Sequence, residues 1–184
     1  MLGRLFLGLL TVFVAFGLFA CNPQSRANQY SVERVSDGDT LTVVDATGTN
    51  VKVRFACVDA PEIAHTKAEK LSKKAVDKDQ FKWGNQAQMR VEQLLKQKGD
   101  RVTLTVTDTD RYGRKISEVR LSDRTLIQEV LAREGLALVY RPYLKNCPSA
   151  TVVEQAETEA KNRRLGIWSD PKFVEPWAYR SRKS

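Results

Sequence analysis

The sequence predicts an α+β fold that is mainly β, a small barrel with helices packed around it. Three observations lead to this prediction. Five segments alternate apolar and polar residues and predict strands, whereas three others repeat apolar residues every three or four positions and predict helices. In chain order the elements run β-β-β-α-β-β-α-α, and this order excludes a parallel sheet built from β-α-β units. Glycine-containing turns separate the predicted strands, as is typical of antiparallel connections.

The first three strands are predicted at residues 30–35, 40–44 and 51–58. A turn at Asp37 and Gly38 joins the first two, and a loop containing Gly48 joins the second to the third. Within the third strand the alternating apolar residues are Val51, Val53, Phe55 and Cys57. A period of two sends Arg54 to the opposite face, which suits an arginine that serves a site on the barrel surface.

The remaining elements follow in order. Residues 65–80 are rich in lysine and lack an apolar period, so a loop is predicted there. The next predictions are a helix over 85–98 with Ala87, Val91, Leu94 and Leu95 on one face, then strands over 101–107 and 115–121. A helix over 125–134 is expected to bury Leu126, Ile127, Val130 and Leu131 and to end at Gly135. The last helix is predicted to begin near Thr151 with a capping box to Glu154 and to stop at Gly166.

Composition narrows the class of partner. The chain has 184 residues and a formal net charge of +8, and Arg4 is the one charged residue among the first twenty. A single basic domain is therefore expected after the N-terminal segment. A positive excess of this size suits a polyanion, either a nucleic acid or an acidic membrane surface. Charge alone does not choose between these two, and it does not establish catalysis.

The N-terminal segment is predicted to direct export. Residues 5–20 are apolar or small without interruption, which is short for a membrane-spanning helix but typical of the hydrophobic region of an export signal. The Leu18-Phe19-Ala20-Cys21 stretch resembles a bacterial lipobox, in which lipidation of the cysteine would anchor the protein to a membrane. Phe19 departs from the small residue usual there, so a plain secretory signal is the alternative. The expected location is the cell envelope, as a lipoprotein, or outside the cell.

Three short motifs carry the chemistry of this chain. They are Asp37-Gly38-Asp39-Thr40, Arg54-x4-Asp59-Ala60-Pro61-Glu62 and Asp110-Arg111-Tyr112-Gly113-Arg114. Asp39 and Asp59 lie at the ends of neighbouring predicted strands, where their hard oxygens could share one calcium or magnesium ion. Arg54 and Arg114 offer planar pairs of donors that match two phosphate oxygens. In this order, within a small basic chain, the motifs indicate metal-assisted hydrolysis of a phosphodiester.

At these motifs the chain resembles the staphylococcal nuclease (thermonuclease) family. The resemblance runs from about residue 30 to residue 169 and closes with Gly166-Ile167-Trp168-Ser169. It implies a five-stranded OB-type barrel with three helices, and an enzyme that cuts DNA and RNA with calcium. The chain then divides into an export signal (1–21), a tether (22–29), a nuclease domain (30–170) and a basic, aromatic tail (171–184).

The resemblance implies the metal ligands and the group that handles water. The ligands are Asp39, Asp59 and the backbone carbonyl of Ala60, where the family often has threonine. Because the carbonyl is the ligand, alanine should cost little apart from a hydroxyl contact. Glu62 matches a glutamate proposed to orient or deprotonate the attacking water. The sequence supports a carboxylate here, since His65 is the single histidine and a mechanism with a His pair is excluded.

The resemblance also implies the substrate contacts. Arg54 and Arg114 match the family's phosphate-binding arginines. Tyr112 matches a tyrosine that contacts the bound nucleotide, and Tyr143 matches another that stacks near the base. The match at Tyr143 is less specific, because Arg141 and Pro142 depart from the family's usual aromatic spacing.

Two cysteines and an aromatic tail have alternative interpretations. In an oxidising compartment Cys57 and Cys147 can form a disulfide, as the family fold implies by bringing the loop before its last helix close to the third strand. The alternative is a pair of buried thiols. In the tail, Phe173, Trp177 and Tyr179 alternate with basic residues and could stack on nucleotides. Packing on the domain surface is the favoured alternative.

The expected function is that of an exported, monomeric, calcium-dependent nuclease of broad specificity acting on DNA, RNA or both. One alternative is a non-catalytic OB-type lipoprotein that binds nucleic acid without cutting it. A lipoprotein with a purely structural role is a third possibility, which explains the N-terminal segment but not the motifs. The acidic and basic residue types needed for catalysis are all present, and this argues against both alternatives.

Overall fold

Five strands close into a barrel in the computed structural model of the protein, which describes residues 29–182. The described residues form seven strands in all, five of them in the barrel. They are β1 (Gln29–Val35), β2 (Thr40–Val44), β3 (Asn50–Phe55), β4 (Val58–Asp59), β5 (Arg101–Thr109), β6 (Lys115–Leu121) and β7 (Leu138–Val139). The barrel order is β1-β2-β3-β6-β5, while β4 and β7 form a separate two-stranded sheet. All barrel pairs are antiparallel except β3 and β6, which run parallel. The predicted α+β fold with a five-stranded OB-type barrel is confirmed.

The helices pack around this barrel. They are α1 (Lys67–Lys70), α2 (Ala75–Lys98), α3 (Ile127–Arg133), α4 (Ala150–Asn162) and α5 (Pro176–Ser181), with 3-10 turns at Arg141–Asn146 and Gly166–Ser169. The three predicted helices correspond to α2, α3 and α4, although α3 is shorter than predicted and Val130 is only partly buried. The core joins Leu41, Val53, Leu104 and Val119 of the barrel to Val91, Leu131 and Val153 of the helices. One core therefore holds barrel and helices together.

The third predicted strand is broken near its end. The prediction of one strand over 51–58 was wrong, because β3 ends at Phe55 and the chain turns at Cys57, whose φ is 73°. A positive φ does not continue an extended strand. Val58 and Asp59 then leave the barrel and pair with Val139 and Leu138 of β7. This turn brings Asp59 back to the end of the barrel, where β2 begins.

The prediction of a loop over 65–80 was also wrong. Thr66 caps α1, and its hydroxyl accepts a hydrogen bond from the Glu69 N–H at 3.1 Å while Glu69 accepts from the Thr66 N–H. The longer helix α2 begins at Ala75 rather than at residue 85. Its first turns bury Asp77 and Gln80. Polar residues at buried positions hide the apolar period by which a helix is recognised.

The predicted capping box of α4 is absent. The N-cap residue is Ser149, and no side chain caps the helix from that position. Instead the buried carboxylate of Glu118 accepts hydrogen bonds from the Ser149 N–H at 2.6 Å and from its hydroxyl at 3.0 Å. Glu154, the predicted partner of Thr151, forms an ion pair with Arg141. A carboxylate at a helix N-terminus is stabilised by the helix dipole, so a distant residue replaces the local cap.

The C-terminal tail packs on the domain. The Tyr179 ring is buried, and its hydroxyl donates to Asp77 Oδ1 at 2.8 Å. Phe81 meets the same ring edge-on, with centroids 6.4 Å apart. Phe173 and Trp177 are partly buried against the core. The tail is thus a structural part of the domain, as the packing alternative predicts.

A disulfide joins Cys57 to Cys147, with their Cα atoms 5.6 Å apart. It links the turn after β3 to the loop before α4, across 90 residues of sequence. The two cysteines therefore form a disulfide in the structure, and the alternative of two buried free thiols is not observed.

The export prediction concerns residues outside the described part of the chain. The signal over 1–21 with its candidate lipidation site Cys21, and the tether over 22–29 apart from Gln29, lie before the described residues. Among residues 29–182, none of the helices is both long and apolar enough to cross a membrane.

Candidate active site

Arg54 lies at the centre of a charged cluster at one end of the barrel. In β3 it pairs with Thr40, the first residue of β2, so it stands beside Asp39, which directly precedes that strand. Its Nη1 contacts Asp39 Oδ1 at 2.7 Å, and its Nη2 donates to Asp59 Oδ1. Arg54 alternates with the buried Val53 and Phe55, as a period of two predicts, and its side chain is 20% exposed beside the two carboxylates.

The turn before β2 holds Asp39 in place. The Asp39 N–H donates to Asp37 Oδ1 at 2.9 Å, and Asp39 Oδ2 accepts from the Ala60 N–H at 2.7 Å. Gly38 is required by close packing, because a Cβ at this position would lie 2.6 Å from the Ala87 Cβ and 2.8 Å from the Ala60 Cβ. The turn therefore packs Gly38 and Asp39 of the first motif directly against Ala60 of the second.

Burial perturbs both aspartates. Burial raises the pKa of Asp39 to about 7, an effect that Arg54 opposes and that the nearby carboxylate of Asp37 reinforces. Burial also raises the pKa of Asp59, and hydrogen bonds from Arg180 oppose this rise. The arginines thus compensate incompletely for two carboxylates held together away from water.

This arrangement fits a hard divalent cation. Two buried carboxylates with raised pKa values gain most from a bound cation, and calcium accepts carboxylate and carbonyl oxygens. The Ala60 N–H donates to Asp39 Oδ2, so this residue lies beside the aspartate. No cluster of three or more His, Cys, Asp and Glu side chains suited to a metal occurs within residues 29–182. Asp39, Asp59 and the Ala60 carbonyl would supply only part of a coordination shell, and water or substrate oxygens would supply the rest.

Glu62 stands at the rim of the cluster, and helix α2 fixes its backbone. The Glu62 N–H donates to Gln80 Oε1 at 3.2 Å. Gly84 packs so closely that a Cβ there would lie 2.1 Å from the Glu62 carbonyl oxygen. The carboxylate remains 25% exposed, so water and substrate can reach it. A carboxylate in such a position can orient or deprotonate a water molecule.

A third arginine, missed by the sequence analysis, belongs to the same cluster. Arg180 of α5 donates through Nη1 to Glu62 Oε1 and through Nη2 to Asp59 Oδ2, each at 2.6 Å. Its Nη1 also lies 3.1 Å from Asp59 Oδ1. Pro176 at the first position of α5 could have predicted the helix. No local signal could have predicted where its arginine lies.

Arg114 lies apart from this cluster. It ends the turn between β5 and β6, where its Nε donates to Asp110 Oδ2 at 2.7 Å. Strand β6 pairs with β3, Ile116 opposite Arg54, so the Arg114 turn adjoins the strand of Arg54. Within the described residues, no hydrogen bond or ion pair joins Arg114 to Asp39, Asp59 or Glu62.

Both predicted substrate-binding tyrosines are exposed. Tyr112 is 68% exposed in the turn of Arg114, and the guanidinium carbons of Arg111 and Arg114 lie 4.9 Å and 5.7 Å from its ring centroid. Tyr143, 58% exposed, stacks on Tyr140 with centroids 5.7 Å apart. Exposed rings of this kind can stack on nucleotide bases.

The protein has an OB-type barrel, and acidic and basic side chains converge at one end of it. These two features indicate a small enzyme that acts on nucleic acid. A family model described as staphylococcal nuclease homologue matches residues 52–170. The chain belongs to the staphylococcal nuclease family, and it is accordingly a nuclease, a hydrolase acting on nucleic acid.

Several relatives are similar along most of their length. Micrococcal nuclease of Shigella flexneri is 32% identical over 157 residues, covering 81% of this chain and 78% of the relative. Thermonuclease of Staphylococcus intermedius is 33% identical, covering 78% of this chain and 77% of the relative. An uncharacterized endonuclease of Escherichia coli is 33% identical, covering 83% of this chain and 84% of the relative. The similarity therefore extends over most of the chain rather than over isolated motifs.

Proposed function

We propose that this nuclease hydrolyses phosphodiester bonds of DNA, RNA or both with calcium as cofactor. The observation that carries the proposal is the convergence of three carboxylates on two arginines at one end of the barrel. Arg54 contacts Asp39 and Asp59, and Arg180 contacts Asp59 and Glu62. Asp39 and Asp59 offer oxygens to a hard cation, and Glu62 offers a base. The Ala60 carbonyl is the proposed third protein ligand.

The reaction needs an in-line nucleophile and compensation for charge on the phosphate. Asp39, Asp59 and the Ala60 carbonyl would hold the calcium ion, which would supply Lewis acidity to a phosphoryl oxygen and a place for a water molecule. Glu62 orients that water or accepts its proton, because its carboxylate is partly exposed next to Asp59. Gln80 holds the backbone of Glu62, and Arg180 contacts its carboxylate.

The proposed phosphate contacts come from two arginines. Arg54 donates to both aspartates and so stands next to any phosphate that approaches the cation. Arg114 would approach the same phosphate from the neighbouring turn, after exchanging its bond to Asp110 for bonds to the substrate. Guanidinium groups remain charged at every working pH and match two phosphate oxygens at once. Tyr112 and Tyr143 are the proposed contacts for the nucleotide.

The location of the protein belongs to the same proposal. We infer export through the apolar segment 5–20, with Cys21 as the candidate lipid anchor, or secretion without it. The disulfide between Cys57 and Cys147 supports an oxidising compartment. We further propose that the enzyme acts as a monomer.

Activity assays of the purified protein test the proposal. Single- and double-stranded DNA and RNA would each be incubated with calcium, with magnesium or with excess chelator. We expect cleavage with calcium, weaker cleavage with magnesium because magnesium demands tighter octahedral geometry, and none with chelator. Undiminished cleavage in chelator would contradict the metal mechanism. A protein that binds these nucleic acids but never cuts them would instead be the non-catalytic binding module.

A further inference from the structure

Arg180 is the one basic residue of the charged cluster that comes from outside the matched region 52–170. It contacts two functional carboxylates at once, Asp59 through both oxygens and Glu62 through Oε1. These contacts span 121 and 118 residues of sequence. The Asp59 side chain is only 2% exposed. The C-terminal helix therefore reaches into the site rather than merely covering the surface near it.

Helix α2 holds the C-terminal segment in position. Gln80 is fully buried and serves two partners, accepting from the Glu62 N–H at 3.2 Å and donating to the Val174 carbonyl. One turn earlier, Asp77 accepts the Tyr179 hydroxyl at 2.8 Å. The same buried amide thus fixes both the backbone of Glu62 and the segment that carries Arg180. Because Gln80 bonds both segments, the distance between the backbones of Arg180 and Glu62 is set by the packing of helix α2.

We propose that Arg180 is a positioning residue, which acts through Glu62 by holding its carboxylate against Asp59. A glutamate side chain has several rotamers, and a partly exposed one samples them unless a partner selects one. Arg180 selects the rotamer that places Glu62 next to Asp59, because one guanidinium bonds both carboxylates. Glu62 then reaches the attacking water without first losing rotamer entropy. This inference rests on the proposed role of Glu62.

Arg180→Ala tests the proposal, with Arg182→Ala as the matched control. Arg182 is exposed at the end of the same helix, so both variants lose one positive charge. We expect Arg180→Ala to lower kcat about 10- to 100-fold, as is typical when a supporting partner of a functional ligand is removed, with little change in KM. Arg180→Lys should recover part of the loss, since lysine can still contact one carboxylate. Thermal unfolding shows whether each variant is folded.

A readout independent of cleavage separates positioning from phosphate binding. In chelator, Arg180→Ala and Arg182→Ala should bind DNA with equal affinity in a mobility-shift assay, because each removes one charge. A specific loss of affinity in Arg180→Ala would make Arg180 a phosphate contact and overturn the proposal. Higher activity in Arg180→Ala than in wild type would also overturn it, because Arg180 would then be an autoinhibitory contact.

A double-mutant cycle with Glu62→Gln gives the decisive result. If Arg180 acts through Glu62, then Arg180→Ala should have little further effect on kcat in the Glu62→Gln background. Additive losses would show that Arg180 acts independently of Glu62 and would overturn the proposal. The two hypotheses fail differently. Wild type that does not cut with calcium contradicts the proposed function, whereas active wild type with an equally active, folded Arg180→Ala contradicts this inference alone.

Discussion

At the scale of single residues, the geometry of Arg54 determines how the charged cluster is held together. One guanidinium contacts Asp39 through Nη1 and Asp59 through Nη2. A guanidinium can do this because its donors lie in one plane and point in fixed directions. Asp39 directly precedes β2 and Asp59 ends β4, so Arg54 also fixes the distance between the two proposed metal ligands.

Lysine at Arg54 or Arg114 should lower turnover about tenfold or more, since an ammonium cannot reproduce a planar pair of donors to phosphate. Steady-state cleavage of one DNA substrate measures the effect. Lys70→Ala and Lys73→Ala, in the lysine-rich segment before α2, are the controls and should stay close to wild type. Greater losses in these controls than in the arginine variants would place the phosphate site elsewhere.

Local motifs identify most of the site residues but not all of them. Asp39 lies beside a turn that the sequence predicts. The sequence also identifies Asp59 and Glu62, but it does not predict the turn at Cys57 that brings Asp59 back to the barrel end. Arg180 could not be predicted, because its contacts depend on where the last helix docks. Its partners lie more than a hundred residues away along the chain.

At the scale of elements, helix α2 connects the barrel to the C-terminal segment. Its buried face presents Asp77 to Tyr179, Gln80 to Glu62 and Val174, and Gly84 to the Glu62 backbone. The sequence predicts the apolar second half of this helix but not the polar first half. The reason is physical, because the partners of the buried polar side chains come from other parts of the chain.

Gly84→Ala should disturb the site through this helix. A Cβ at Gly84 would lie 2.1 Å from the Glu62 carbonyl oxygen, so either α2 or the Glu62 backbone must move. We expect a loss of stability of about 1–3 kcal/mol, typical of overpacking, together with a lower kcat. Urea unfolding and cleavage assays measure the two effects. Met89→Ala, an exposed change on the same helix, is the control, and equal behaviour of the two variants would refute this role of Gly84.

At the scale of the whole molecule, the disulfide ties the turn that carries Asp59 to the loop before α4. The sequence left two possibilities for Cys57 and Cys147, because spacing alone does not show whether two cysteines meet. In the folded protein the two cysteines meet, because the end of β3 lies close to the loop after the 3-10 turn Arg141–Asn146. The tertiary fold, rather than any local pattern, creates this pair.

Removal of this disulfide should destabilise the domain. A link across 90 residues restricts the unfolded chain strongly. Replacing both Cys57 and Cys147 with alanine should therefore lower the free energy of unfolding by about 3–4 kcal/mol. Urea unfolding with and without reductant measures the loss, and mass spectrometry of the non-reduced protein should find the linked peptides. Free thiols at both positions, with no effect of reductant on wild type, would contradict the prediction.

The Glu62→Gln variant tests the proposed mechanism most directly, because Glu62 activates the water in that mechanism and the surrounding basic residues bind the nucleic acid. Glutamine keeps the shape of Glu62 but removes its charge and its ability to accept a proton, so cleavage should fall about 10²- to 10⁴-fold. Nucleic-acid binding should persist and weaken with rising salt, since it comes from the basic surface. Glu33→Gln, on the exposed part of β1, is the control and should cut like wild type. Undiminished cleavage by folded Glu62→Gln would contradict the central claim.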